Sequence, residues 1–121
     1  MTATMHIGEL ADRSELSLRT IRHYDEIGLL KPSARSDGGY RLYTERDFER
    51  LMLIRRMKPL GFALEEMGEL LAATDVLEAD PADGAARSRM DAFLTEAVER
   101  RAKLERQLAA ADEFIARLSA R

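Results

Sequence analysis

One stretch decides the fold: Ser17-Leu18-Arg19-Thr20-Ile21-Arg22-His23-Tyr24-Asp25-Glu26-Ile27-Gly28-Leu29-Leu30. Ser17 is a good N-cap, because its short hydroxyl side chain can accept a bond from one of the first, otherwise unpaired, helical N–H groups. Leu18, Ile21 and Tyr24 supply an apolar side, and Gly28 is placed to end the helix with a left-handed backbone. Upstream, Ile7, Leu10 and Ala11 fall at i, i+3 and i+4, which predicts a short helix with one buried stripe, interrupted by Arg13-Ser14-Glu15. Two short helices joined by a tight polar turn form a helix-turn-helix candidate.

Beyond Pro32 the helical period stops. Asp37-Gly38-Gly39 stands between Ser33-Ala34-Arg35 and Tyr40-Arg41-Leu42-Tyr43, which predicts a hairpin with a glycine turn, rich in Arg and Tyr. Thr44 with Asp47 three residues later resembles a capping arrangement. It opens a third helix in which Phe48, Leu51, Met52, Ile54 and Met57 form a broad apolar surface, closed by Pro59 and Gly61. Leu64, Met67, Gly68 and Leu71 mark a short fourth helix. Residues 74–85 are acidic and aperiodic and contain Pro81 and Gly84, so they read as a linker.

The last segment differs in kind. From Met90 the positions Leu94, Ala97, Arg101, Leu104, Leu108, Ala111, Ile115 and Leu118 follow at alternate spacings of four and three, a sustained heptad seam. At about 1.5 Å per residue, the helix from Met90 to Leu118 is roughly 43 Å long. It cannot bury that seam against itself, so a partner helix is implied. Arg101 occupies a seam position. Either it sets orientation or register by reaching an acidic partner such as Glu105 or Glu96, or its stem packs while the guanidinium turns to water. The expected fold is mainly α: a winged helix-turn-helix domain over residues 5–73 with a small β-hairpin wing, a linker over 74–85, and a long coiled-coil dimerisation helix over 86–121.

Composition removes several classes of function. A chain of 121 residues holds one modest domain and an added element, not a large enclosed active site. The absence of cysteine excludes disulfides, zinc-thiolate sites, iron–sulfur clusters and thiol redox sensing. His6 and His23 lack metal-ligand spacing, and no nucleophile–base pair or phosphate-cradling loop can be assembled, so neither metal, cofactor nor enzymatic activity is expected. The first residues show no basic region followed by an apolar one, and no segment reaches membrane-spanning length free of charge, so a cytoplasmic protein is expected. The net charge of −3 is unevenly spread: residues 1–61 carry 11 Lys/Arg against 9 Asp/Glu, and residues 62–121 carry 8 against 13. Any surface facing an anion therefore belongs to the first half.

A helix-turn-helix presents its second helix to the DNA major groove, where donors must reach base edges and phosphates. Ser17, Arg19, Thr20, Arg22 and His23 provide them, although a solvated helix would also carry two arginines. In the hairpin, Arg35, Tyr40, Arg41 and Tyr43 surround a turn where glycine permits close backbone approach, as a wing on the phosphate backbone requires. Strand alternation puts Tyr40 and Leu42 on one face and Arg41 and Tyr43 on the other. The face with Leu42 is expected to be buried, making Tyr40 the structural tyrosine and Arg41 an exposed phosphate contact.

The runs Ile7-Gly8-Glu9-Leu10-Ala11, Ser17 to Leu30, Gly38-Gly39-Tyr40-Arg41-Leu42-Tyr43 and Leu60-Gly61-Phe62, in that order, resemble the MerR family of bacterial transcription regulators. The resemblance implies a winged helix whose second helix enters the major groove, a wing on the backbone, and a C-terminal helix that forms an antiparallel coiled coil in a homodimer. It places Arg19, Thr20, Arg22 and Tyr24 in the recognition-helix motif and Arg35, Gly39, Tyr40, Arg41 and Tyr43 in the wing. His23 departs from the family, which often has a second tyrosine there, and Pro59 departs by removing a backbone donor. An inverted-repeat operator follows from two-fold symmetry. The resemblance further implies distortion of promoter DNA, through which RNA polymerase is engaged indirectly, with activation or repression both open. Metal-sensing relatives use cysteine at the end of the dimerisation helix, and this chain has none, so a cysteine-ligated metal is not expected. The alternative is an adaptor or architectural module of the same fold without promoter control.

Overall fold

A computed structural model describes residues 3–121. It divides into two compact units, one ending at Leu71 and the other spanning Ala72–Arg121.

In the first unit the order is β1 (Thr4–His6), α1 (Ile7–Ser14), α2 (Leu18–Glu26), β2 (Ala34–Arg35), β3 (Arg41–Thr44) and α3 (Glu45–Met57), followed by a 3-10 turn over Lys58–Leu60 and the start of α4 (Leu64–Ala79). Helix α1 stops at Glu15, which takes the left-handed conformation at φ 59°. Helix α2 starts on Ser17 as expected: the Ser17 hydroxyl accepts from the Thr20 N–H at 3.0 Å. It ends at Gly28, φ 77°, with the Leu29 and Leu30 N–H groups both donating to the Tyr24 carbonyl. Thr44 and Asp47 form the reciprocal capping box that their spacing predicts.

The sheet is antiparallel in the order β1-β3-β2, with Met5 opposite Tyr43 and Arg35 opposite Arg41. The hairpin was legible in the sequence, whereas strand β1 was not. Leu10, Ile21, Leu30, Tyr43, Leu51 and Ile54 are fully buried at the centre of this unit. Tyr43 is 0% exposed and Tyr40 70% exposed, which reverses the expected roles of the two tyrosines. The physical reason lies in β1: Met5 and Tyr43 are register partners, share a face and are both buried, so the odd-numbered side of β3 turns inward. Tyr40 precedes β3 and lies outside its alternation.

In the second unit, the expected linker over 74–85 is corrected. Helix α4 continues to Ala79, and the connection to α5 (Gly84–Ser119, 36 residues) is only residues 80–83. Acidic side chains such as Asp75 and Glu78 are compatible with helix, and the break comes only at Pro81, which cannot continue an N–H ladder. The Asp80 carboxylate accepts from the Ala82 N–H at 3.1 Å, and Asp83 caps α5 by accepting from the Ala86 N–H at 2.9 Å. Met90, the first expected seam residue, is half-buried, with its sulfur 3.9 Å from the Thr74 hydroxyl. No helix among the described residues is long and apolar enough to cross a membrane.

Candidate nucleic-acid interface

Helix α2 sorts its side chains by period. Ile21, Tyr24 and Asp25 are buried, while Arg19, Arg22 and His23 are exposed on the opposite side. Ser17 and Thr20 are tied to the cap, with the Ser17 hydroxyl also donating to the Thr20 hydroxyl at 2.9 Å. Tyr24 contributes little surface, and burial pushes its phenol above the ordinary tyrosine range. Tyr24, expected as a DNA contact, is thus mainly a core residue, and its edge meets the groove described next.

A groove of about 880 Å³ runs along α2. Arg19, Arg22 and His23 form one wall, and Lys58, Phe62 and Leu64, from the turn into α4, form the other. Lys58 thus joins the cationic face although the sequence gives no motif around it. Its only signal is adjacency to the turn residues Pro59 and Gly61. The start of α4 is fixed locally by the Glu66 carboxylate, which accepts from the Ala63 N–H at 2.8 Å.

The wing is fastened to α2 through Asp25. Its carboxylate is 9% exposed and accepts from Arg41 Nε at 2.7 Å and from Arg35 Nη2 at 3.4 Å, with Lys31 Nζ at 3.9 Å. The Arg41 bond dominates, since the Arg41 side chain is 25% exposed, whereas Arg35 and Lys31 lie largely in water, where such pairs contribute little. The hydrogen bond to Asp25 raises Arg41 further above its ordinary value. Arg41 is accordingly not the freely exposed cation that alternation predicts. It is half-buried because the odd side of β3 faces α2.

The hairpin turn is likewise built from named bonds. The Gly39 N–H donates to the Ser36 carbonyl at 2.8 Å, the Tyr40 N–H donates to the Ser36 hydroxyl at 3.1 Å, and Arg35 Nη1 donates to the Gly39 carbonyl at 3.1 Å. Gly39 sits at φ 81°, where a side chain would be strained. A Cβ at Gly38 would come within 3.0 Å of the Tyr40 ring, so glycine there admits the ring over the turn. Tyr43 is the remaining expected contact, and it is corrected to a core residue. Its hydroxyl is buried without a hydrogen-bond partner among the described residues, and burial raises its pKa.

These parts define a winged helix-turn-helix: a recognition-type helix with an exposed Arg/His face, a second wall carrying Lys58, and a wing pinned beside it. The comparisons place it more narrowly. The pattern of the MerR HTH family regulatory proteins matches residues 5–74, and the pattern described as MerR, DNA binding matches residues 48–121. The chain belongs to the MerR family. It is 39% identical over 111 residues to heavy metal-dependent transcription regulator 2 of Rhizobium meliloti, covering 91% of this chain and 69% of that one. It is 51% identical over 67 residues to the HTH-type transcriptional regulator PA4778 of Pseudomonas aeruginosa, covering 55% of this chain and 51% of that protein. The chain thus spans about half the length of several curated relatives it matches. Among solved structures it is similar to HiNmlR, a MerR family regulator lacking the sensor domain, bound to promoter DNA: 26% identity, 94% of this chain and 89% of that one, TM-score 0.72.

Proposed function

We propose that this chain is a sequence-specific DNA-binding transcription regulator that binds an inverted-repeat operator as a homodimer and distorts promoter DNA, so that RNA polymerase responds to the changed promoter. The observation that carries this reading is the pairing of an exposed Arg19, Arg22 and His23 face with a wing held at fixed spacing by Asp25 and Arg41. Such a surface presents donors to a groove and cations to the flanking backbone at once. The similarity to a promoter-bound relative supports it. In this reading Arg19, Arg22 and His23 reach base edges and adjacent phosphates. Arg35, Gly39, Tyr40 and Lys58 meet the backbone, and Arg41 positions the wing. The exposed seam of α5 supplies the second copy that an inverted repeat requires.

Selection of bound duplexes from a random pool, with the winners titrated against salt, tests it. The expected result is an inverted repeat whose affinity falls steeply with salt, by a log–log slope of about −0.9 for each phosphate neutralised. Recovery of no preferred sequence would shift the reading to an architectural or adaptor module.

A further inference from the structure

The cations of the first unit fall into two sets. Arg13, Arg35, Arg41 and Arg55 are each ion-paired to a carboxylate. Arg19, Arg22 and Lys58, which line the groove along α2, form no ion pair among the described residues, and neither does the exposed imidazole of His23 in the same groove. We propose that His23 is a proton-linked phosphate contact: duplex DNA is bound with the imidazole charged, so each protomer takes up a proton on binding and affinity falls as pH rises through neutrality. This rests on the DNA-binding reading above and adds to it the chemical group that His23 meets and the charge state in which it does so.

Placement within α2 separates His23 from the residues that would read bases. A recognition helix meets base edges with its N-terminal residues. Arg19 and Thr20 lie in the first turn of α2, whereas His23 lies in the last. At that end the helix dipole favours a cation over a neutral side chain. Across the groove stands Lys58, a cation from a different element, so an anion lying along the groove finds donors on both sides. The DNA backbone supplies such anions in a continuous row, and contacts to it carry no sequence information.

The other groups on the groove decide what protonation does there. Glu26 is the single carboxylate that lines it, and it pairs with none of the cations. Tyr24 presents only the edge of a core ring, its centroid 6.3 Å from that of His23. The segment leading into α4 contributes Phe62, Leu64 and Met67, which bear no charge. No internal carboxylate therefore holds an imidazolium at this position, and an incoming phosphate is the group that would favour it. Histidine ordinarily changes charge between about pH 5 and 8. Phosphate accepts a charge-assisted hydrogen bond from the imidazolium and only an ordinary one from the neutral ring, so the tighter complex is the one that has taken up a proton. Linkage then requires DNA affinity to be greatest at low pH and to be lost as the imidazole deprotonates. His6, the other histidine, lies in β1 and does not line the groove.

Fluorescence anisotropy on the full chain tests this, with two duplexes as probes: the winner of the random-pool selection and a scrambled duplex of the same length. Each is titrated at pH 6 and at pH 8 at one ionic strength, and then against salt at both pH values. Wild type should bind both duplexes at least about fivefold more weakly at pH 8, the usual excess of a hydrogen bond to a charged group over a neutral one. Its log–log salt slope should be shallower at pH 8 by up to about 0.9 per protomer. His6→Gln should follow wild type. His23→Gln should bind at pH 6 as weakly as wild type does at pH 8, with little further change. His23→Arg, a permanent cation, should hold the wild-type pH 6 affinity at both pH values. A pH dependence equal in wild type and His23→Gln, or absent from wild type, would overturn the proposal. A pH effect confined to the selected duplex would make His23 a base reader and overturn it likewise. Failure of wild type to bind either duplex at pH 6 in low salt would instead overturn the DNA-binding reading on which it stands.

Discussion

At the scale of single residues, the wing depends on Asp25. A carboxylate buried beside Arg41 at 2.7 Å cannot be neutralised without leaving that guanidinium under-bonded. Asp25→Asn should cost about 1.5–3 kcal/mol, the usual worth of a hydrogen bond to a charged group. It should also weaken binding to all DNA sequences alike, because a loosened wing loses backbone contacts and not base contacts; fluorescence anisotropy on specific and scrambled duplexes measures this. Tyr43 gives the opposite expectation. Its hydroxyl is buried and unpaired, so Tyr43→Phe should raise stability by about 1 kcal/mol in denaturant unfolding and leave DNA affinity unchanged. A drop in affinity would return Tyr43 to the interface. The two wing tyrosines also show why a sequence can mislead. Alternation along Arg41-Leu42-Tyr43 was legible, but parity needs an anchor, and Leu42 was a natural one. The true anchor is Met5 in a strand of three residues, too short to show any period of its own.

At the scale of elements, caps and turns were the most legible features, because each depends on one or two side chains acting locally. Ser17, Gly28 and the Thr44–Asp47 box all stand where the residue types predict. The length of α4 was not legible, since its C-terminal half lies in an acidic stretch without an apolar period, and only Pro81 marks the stop. Arg13 links α1 to α3 by donating to both Glu45 carboxylate oxygens, at 2.6 and 2.7 Å, while stacking 4.1 Å from the Phe48 ring centroid. The hydrogen bonds from Arg13 hold the Glu45 carboxyl below its ordinary value. A lowered carboxyl contributes stability above its unfolded pKa and loses it as pH falls through the folded one. Wild type should therefore lose more stability than Glu45→Gln once pH drops below about 4, the ordinary carboxylate range. Because both groups are exposed the difference should be small, and equal acid slopes in urea melts at stepped pH would discount the pair. On α5, Leu108→Glu sets a charge into the exposed seam of the proposed homodimer, and sedimentation equilibrium should then return a monomer. A persistent dimer would mean that the seam lies elsewhere.

At the scale of the whole molecule, the two units divide the labour: the first carries the cationic face and the second an uncovered seam. Net charge does not follow this division, since Glu65, Glu66 and Glu69 at the start of α4 offset the positive balance of residues 1–61; what the first unit concentrates is the exposed cations of α2 and the wing. The cationic face was largely legible, because exposed arginines on a capped helix and a glycine-turned hairpin are local patterns. Lys58 and the Asp25 anchor were not, since both arise from packing between segments far apart in sequence. The central claim is that recognition requires two copies of the first unit held by one pair of α5 helices. The most direct test is an anisotropy titration of the chain against a duplex with both halves of the selected inverted repeat and against one with a single half. The account predicts one dimer per duplex and an affinity at least about tenfold higher for the paired site, a difference of about 1.4 kcal/mol. Equal affinity for the half-site, with one protomer bound to each duplex, would contradict it.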